Sequence, residues 1–92
     1  MRALLVHPQV YVLLLTGGNI YVGNSLSLSN RLSQHWQGLG ARWTKLHKPV
    51  SVLEVHMVSD GEDASDLENK RTLELMQEHG AHKVRGGRYC AI

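Results

Sequence analysis

At 92 residues, 42% of them hydrophobic and 20% charged, the chain has the composition of one globular domain with a small core, which excludes a disordered protein. The net charge of +2 is too small for a protein that coats nucleic acid, so any such contact must come from a local basic patch. The single cysteine, Cys90, excludes an intramolecular disulfide, and no apolar run reaches the roughly 20 residues of a membrane helix. We expect a soluble intracellular protein with no membrane partner and no signal peptide.

The first elements in chain order form a β-hairpin. Residues 10–16 are a continuous apolar run rich in strand formers, which predicts a buried strand. Residues 17–19, Gly-Gly-Asn, are a strong turn signal, and residues 20–22 return as a second strand. Tyr11 and Tyr21 therefore lie in opposite strands and near each other in the expected register.

A helix and a third strand follow the hairpin. Ser25 or Ser27 can cap a helix that runs to about residue 37, with an apolar residue every fourth position at Leu28, Leu32 and Trp36. Residues 41–48 are short and basic and predict a second small helix or a turn. The valines of residues 50–55 predict a third strand after Pro49.

Ser59 and Glu62 fit a capping box, which predicts a long helix that ends at His79 before Gly80. The tail over residues 82–92 is expected to be irregular, with a short closing strand as the alternative. The element order β-β-α-α-β-α predicts an α+β fold over residues 1–92, in which a three-stranded antiparallel sheet is flanked by helices.

Glu68 is the first candidate for chemistry. At about 100° per residue it falls roughly 20° from Leu75 and roughly 40° from Ala64, so a carboxylate lies within the apolar face of the long helix. A buried carboxylate needs a cation or a metal as its partner. The pattern alone favours an ion pair with Arg71 or another base at the edge of the core.

Arg31 and His35 are four residues apart and share one helix face, which suits a phosphate anion, although the pair taken alone favours a solvated polar face. Tyr11 and Tyr21 are, taken alone, ordinary strand aromatics. A zinc site is a weaker alternative, because no pair among the remaining candidate ligands has the usual spacing. Those ligands are His7, His47, His56, His79, His82 and Cys90.

Several of these segments occur in one known order. They are Val10-Tyr11-Val12, then Tyr21-Val22-Gly23 with Ser25, the pair Arg31 and His35, the basic residues 42–49, Leu67-Glu68-Asn69, and the ending Val84-Arg85-Gly86-Gly87-Arg88-Tyr89. Over about residues 10–89 this order resembles the GIY-YIG nuclease superfamily, in a stand-alone form that ends in Val-Arg-Gly-Gly.

The resemblance implies a phosphodiesterase with one Mg²⁺ or Mn²⁺ held by Glu68. Tyr21 would take the proton of the attacking water, Tyr11 would orient that site, and Arg31 would stabilise the phosphate in the transition state. His35 would support the phosphate or relay a proton. Because tyrosine has a pKa near 10, the base needs nearby positive charge, which Arg31 and the metal could supply.

The chain departs from the family pattern at three places. Val10 stands where the family prefers glycine, and Asn24 stands where many members carry a lysine. Many members also have an asparagine some dozen residues after the glutamate, where this chain reads Gly80-Ala81-His82-Lys83.

The implied partner is DNA, single-stranded, nicked or branched forms included, with low sequence specificity. The candidates for backbone contacts are Arg42, Lys45, Lys48, Arg85 and Arg88. One alternative function is a nucleic-acid-binding module that keeps the fold without catalysis. Another is a module that dimerises and regulates a partner nuclease, for which an exposed Trp36 or Trp43 would be the sign.

Overall fold

The computed structural model describes residues 7–91, which form four strands and three α-helices. In chain order they are β1 (Gln9–Leu15), β2 (Ile20–Ser25), α1 (Leu28–Trp36), α2 (Arg42–Leu46), β3 (Pro49–Met57), α3 (Ala64–His79) and β4 (Val84–Gly86). The predicted hairpin, the three helices of the predicted order and the third strand are present. None of the helices within residues 7–91 has the length and apolar content needed to cross a bilayer.

The sheet has four strands in the order β3-β1-β2-β4, so the predicted three-stranded antiparallel sheet is wrong, while the α+β class is confirmed. β1 is antiparallel to β2 and to β3, but β4 runs parallel to β2. β4 has only three residues, too few to show an alternating pattern in the sequence. Its pairing depends on α3, which returns the chain to the free edge of β2.

Each face of the sheet carries its own helical layer, because successive side chains of a strand point to opposite faces. On one face, α3 packs through Leu75 on a cluster of Val10, Val12, Ile20, Val22, Val58 and Val84. On the other face, α1 and α2 cover a second cluster of Tyr11, Leu13, Leu15, Tyr21 and Trp43. The two tyrosines thus lie on the α1 face, and α3 lies behind the sheet from them.

The long helix begins later than its predicted capping box. The Glu62 carboxylate accepts the Ser59 N–H at 2.9 Å, but this contact closes a turn ahead of the helix. Gly61 in that turn has φ +87°, a conformation that cannot belong to a right-handed helix. Asp63 is the actual N-cap, and its side chain accepts the Asp66 N–H at 3.1 Å.

Candidate active site

The two tyrosines meet on the α1 face of the hairpin. Tyr11 pairs with Gly23 and Leu13 with Tyr21, so the tyrosines are diagonal neighbours with ring centroids 6.3 Å apart. A Cβ at Gly23 would lie 2.5 Å from the Tyr11 hydroxyl oxygen, so only glycine leaves room for that ring. The expected proximity of the tyrosines in the hairpin register agrees with this geometry.

A buried hydrogen-bond chain leads away from Tyr11. Its hydroxyl lies 2.7 Å from Nε2 of His35, and Nδ1 of His35 lies 3.0 Å from Oγ1 of Thr44. The Thr44 hydroxyl donates to the Ala41 carbonyl at 2.8 Å, so Oγ1 is left as the acceptor for Nδ1–H. Nε2 of His35 is then the acceptor, and the Tyr11 hydroxyl donates to it.

His35 is hydrogen-bonded to Tyr11 and has no ring nitrogen left for the phosphate contact that was one expectation from the sequence, while its alternative role as a proton relay stays a prediction. The ring is fully buried, and both of its nitrogens are used within the protein. Burial, assisted by the nearby Arg31 charge, lowers the pKa of His35 to about 4, so the ring is neutral at pH 7. Gly40 permits this packing, because a Cβ there would lie 2.1 Å from Nδ1 of His35.

Arg31 is half-buried on α1, one helical turn before His35. Its guanidinium donates to Oε1 of Gln34 at 2.8 Å and forms no salt bridge with an acidic residue in the described part of the chain. The positive charge is therefore free for an anion.

Burial raises the pKa of both tyrosines, and Arg31 only opposes that rise. For Tyr11 the causes are burial and then the neighbouring Tyr21, while for Tyr21 they are burial and then the nearby Cys90 thiol. The charge that lowers a tyrosine pKa, expected from Arg31 and a metal, is thus not supplied by Arg31 alone.

Glu68 is buried on α3 and is held by neutral donors. The side-chain amide of Asn24 donates to Oε1 of Glu68 at 2.7 Å, although the two residues are 44 positions apart. The backbone N–H of Gly87 also stabilises the carboxylate, yet burial is the larger effect and raises the pKa of Glu68. No salt bridge involving Glu68 is formed among the described residues.

The ion pair between Glu68 and Arg71 favoured by the pattern alone is wrong. Arg71 donates through Nε to Oε1 of Glu54 at 2.8 Å and makes a second bond to Oε2, with a weaker contact to Glu74. The helical spacing brings Glu68 and Arg71 to adjoining positions, but the edge strand β3 offers the arginine a better-placed carboxylate.

Glu68 and the tyrosines share one electrostatic site, although they come from opposite faces of the sheet. The negative charge of Glu68 raises the pKa of both Tyr11 and Tyr21. An effect of this kind needs short separation in a poorly solvated region. Tyr11, Tyr21, Arg31 and Glu68, four of the five predicted catalytic residues, thus lie within electrostatic range of one another, with the buried His35 beside Tyr11. Their catalytic roles stay predictions.

The Gly86-Gly87 turn after β4 is built to approach α3 closely. Gly87 has φ +49°, and a Cβ there would lie 2.0 Å from Oδ1 of Asn69. That oxygen accepts the Arg88 N–H at 2.9 Å, which anchors the turn. The turn can in this way present the Gly87 N–H to Glu68. The sequence shows Asn24 only as a departure from the family lysine and carries no signal for Thr44 or Asn69, because their partners Glu68, His35 and Arg88 lie 44, 9 and 19 positions away.

The donor set at Glu68 fits a hard divalent cation of the Mg²⁺ type. Residues 7–91 hold no cluster of three His, Cys, Asp or Glu side chains, so the chain supplies one carboxylate and not a closed cage. Mg²⁺ is commonly bound by one or two carboxylates, with waters and substrate phosphates in the other positions. A buried carboxylate without a cationic partner is the group that such an ion would neutralise.

The predicted DNA contacts divide into two groups. Arg42, Lys45, Lys48 and Arg88 are exposed. Arg85 is instead committed within the protein, because its guanidinium donates to the carbonyls of Ala81, Val84 and Ala91 and lies 4.7 Å over the ring of Trp43. These contacts tie the C-terminal segment to α2 and leave Arg85 poorly placed for a phosphate.

Comparisons with known proteins identify the family of the chain. The family model described as the GIY-YIG catalytic domain matches residues 7–80. A UPF0213 protein of Cupriavidus pinatubonensis is 43% identical over 44 residues, which cover 48% of this chain and 49% of the relative. A UPF0213 protein of Xanthomonas axonopodis pv. citri is 37% identical over 60 residues, covering 65% and 59% respectively. A third, of Pediococcus pentosaceus, is 33% identical over 58 residues, covering 63% and 61%.

The aligned segments thus span about half to three fifths of the length of these relatives. No solved structure gives a significant match to the chain. The family match covers most of the chain, including both tyrosines, Arg31, His35 and Glu68. The chain therefore belongs to the GIY-YIG family, whose catalytic domain implies activity of the nuclease type.

Proposed function

We propose that the protein is a DNA endonuclease that depends on a divalent metal, Mg²⁺ or Mn²⁺, and hydrolyses phosphodiester bonds. One observation carries the proposal. The buried carboxylate of Glu68 is held by the Asn24 amide and the Gly87 N–H, forms no salt bridge with a residue of the described segment 7–91, and raises the pKa of Tyr11 and Tyr21. A buried carboxylate with a structural role is normally paired with a cationic side chain, so this arrangement supports a metal-binding role for Glu68.

In this proposal each residue has one role. Glu68 holds the cation, which when bound polarises the phosphate and favours departure of the 3′ oxygen. Tyr21 accepts a proton from the water that attacks phosphorus, as the new P–O bond forms and the bond to the 3′ oxygen breaks. Arg31 binds the non-bridging phosphate oxygens as charge develops there. Tyr11 orients the water and Tyr21, while His35 is a positioning residue that holds Tyr11.

The proposed substrate contacts are made to the DNA backbone. Arg42, Lys45, Lys48 and Arg88 present exposed positive charges, which recognise phosphate in any sequence. We therefore propose low sequence specificity and binding that weakens as salt rises. Arg85 is left out of this set because of its internal contacts.

Incubation of supercoiled, linear and single-stranded DNA with Mg²⁺ or Mn²⁺ tests the proposal, with Glu68→Ala and Tyr21→Phe beside the wild-type protein. We expect nicking that requires the metal and is lost in both variants. A wild-type protein that fails to cut all three DNAs with either metal, or a Glu68→Ala protein that cuts normally, would contradict the proposal.

A second candidate function is a nucleic-acid-binding module without catalysis, favoured by the raised pKa of Tyr21. A protonated tyrosine is a poor base at pH 7. If wild type and Glu68→Ala both bind the same DNAs and neither protein cuts them, this candidate is supported.

The pH dependence of cutting separates the two candidates further. Tyr21 must lose its proton to act as a base, and burial raises its pKa, so the single-turnover rate should rise with pH across the neutral and mildly alkaline range. A rate that is flat with pH between 6 and 9 would be evidence against Tyr21 as the base.

A further inference from the structure

Trp36 is the last residue of α1 and is 46% exposed, whereas Trp43, the other tryptophan, is 7% exposed. The indole N–H of Trp43 donates to the Ile20 carbonyl at 3.0 Å, which makes this ring part of the core. Trp36 makes no such hydrogen bond to another described residue. A large aromatic surface at the end of a helix is thus left in contact with solvent.

Two free cations lie beside this indole. Trp36, Lys45, Lys48 and Pro49 line one concavity of about 230 Å³. Both lysines are exposed, and within residues 7–91 neither forms a salt bridge. The concavity also touches His35 and Thr44, so it adjoins the hydrogen-bond chain behind Tyr11.

The combination of an aromatic face with two ammonium groups points to one ligand chemistry. A simple anion would use the lysines and leave the indole exposed, and an apolar peptide would use the indole and leave two charges without partners. A nucleotide uses all three, because its base stacks on an aromatic ring while the adjoining phosphates bind the cations.

The base must be unpaired to use this surface. Both faces of a base in a duplex are covered by its neighbours in the stack, so only a single-stranded or extruded base can lie on an indole. Arg31, the proposed phosphate ligand, precedes Trp36 by five residues, which is about 7.5 Å along the helix axis and about 140° around it. A strand that contacts both side chains must therefore also turn around the helix, so its path is longer than the axial distance. Since α1 ends at Trp36, a strand can pass around the end of the helix from one to the other.

We propose that Trp36, Lys45 and Lys48 form a subsite for an unpaired base of a DNA strand and its flanking phosphates. The subsite rests on the proposed function, because it lies along a strand whose scissile phosphate is bound at Arg31. It makes unpaired DNA the preferred substrate form, by adding a stacked base to contacts that a duplex and a single strand both make.

Binding in EDTA, where no cutting occurs, tests the subsite. A labelled 15-nucleotide deoxythymidine strand is titrated by fluorescence anisotropy against wild type, Trp36→Leu and Trp36→Phe, beside a duplex and an abasic strand of the same length. We expect Trp36→Leu to weaken binding of the base-bearing strand by about fivefold or more, since base stacking has about that effect, and Trp36→Phe to restore most of it. The duplex and the abasic strand should bind all three proteins alike. A ribose strand of the same length shows whether the subsite also accepts RNA.

One matched control and two variants of the subsite lysines accompany this experiment. Leu26→Ala removes another exposed apolar side chain and should leave all affinities unchanged. Lys45→Gln and Lys48→Gln should each reduce the salt dependence of single-strand binding, by about 0.7 in the slope of log K against log salt concentration. Circular dichroism melting of each variant establishes that it is folded.

Equal binding of the deoxythymidine strand by wild type and folded Trp36→Leu would overturn the proposal, as would equal losses on the base-bearing and abasic strands. This failure is distinct from failure of the proposed function. If wild type cuts DNA but Trp36→Leu binds every strand normally, the subsite is wrong and the nuclease stands. If Trp36 is needed to bind the base-bearing strand but no DNA is cut, the subsite stands and the catalytic proposal is wrong.

Discussion

Glu54 of β3 contacts α3 through Arg71, and Glu68 belongs to α3 itself. The two carboxylates have opposite electrostatic surroundings. Glu54 receives two hydrogen bonds from Arg71 and lies 2.8 Å from Nε2 of His56, and the arginine lowers its pKa to about 2. Glu68 is more deeply buried, receives only an amide and a backbone N–H, and has a raised pKa. The charge of a carboxylate that is paired with a cationic side chain is already neutralised, so that carboxylate is a poor ligand for a metal ion. A carboxylate held by neutral donors keeps its charge for a ligand that arrives later.

The largest expected effect comes from removing each charge in turn. Glu68→Gln should lower the rate of DNA cutting by about a hundredfold or more, because the metal loses its protein ligand, and should leave stability unchanged or improved. Glu54→Gln should leave the rate unchanged and destabilise the protein by about 1–2 kcal/mol, since Arg71 loses its partner. Cutting assays and urea unfolding measure the two effects. A folded Glu54→Gln protein that has lost activity would contradict the assignment of a purely structural role to Glu54.

The next effect tests the neutral donors around Glu68. Asn24→Ala should weaken binding of Mn²⁺ by about tenfold to a hundredfold, because outer ligands of this kind fix the orientation of a metal-binding group. Asn30→Ala, an exposed asparagine on α1, is the matched control and should bind Mn²⁺ as wild type does. The affinities can be measured by electron paramagnetic resonance of free Mn²⁺. Unchanged affinity in Asn24→Ala would show that the hydrogen bond does not prepare the carboxylate.

Acid should act on the two carboxylates with opposite signs. The folded-state pKa of Glu54, about 2, lies below its ordinary value of 4.5, so its contribution to stability is complete above pH 4.5 and is lost as the pH falls towards 2. Glu68 has a raised folded-state pKa, so its protonation relieves the cost of burial and adds stability as the pH falls.

Urea unfolding across pH 2–7 measures this difference. Between pH 4.5 and 2 the free energy of unfolding of Glu54→Gln should fall by about 1–3 kcal/mol less than that of wild type, with allowance for the partial exposure of the pair. Identical pH profiles for the two proteins would indicate that the ion pair with Arg71 does not form in solution.

The smallest effect is the stabilisation of the folded protein by metal. At a Mg²⁺ concentration ten times the dissociation constant, binding should stabilise wild type by about 1.4 kcal/mol and raise Tm by several degrees. Glu68→Gln should show no shift, while Glu54→Gln should shift as wild type does. Thermal melting with Ca²⁺ or Mg²⁺ against EDTA measures this, and an equal shift in Glu68→Gln would place the metal elsewhere.

Local patterns in the sequence were sufficient for most of the elements. The apolar run of β1 with its Gly-Gly-Asn turn, the four-residue apolar spacing of α1 and the long helix to His79 were all predicted, because each depends on neighbours within a few residues. The ordered motifs also identified the family, and they predict the tyrosines, Arg31 and Glu68 as a catalytic set. The start of α3 was missed because the capping-box pair instead closes a turn through Gly61.

Tertiary structure alone decided which side chains meet. The bond from Asn24 to Glu68 spans 44 positions, and the choice of Glu54 as the partner of Arg71 depends on where β3 lies beside α3. The buried position of His35 depends on Gly40 and Thr44 of the next segment, and β4 exists because α3 returns the chain to the edge of β2. A periodic pattern shows which face of an element is buried. It carries no record of which distant donor lies opposite, since that is set by how the elements pack.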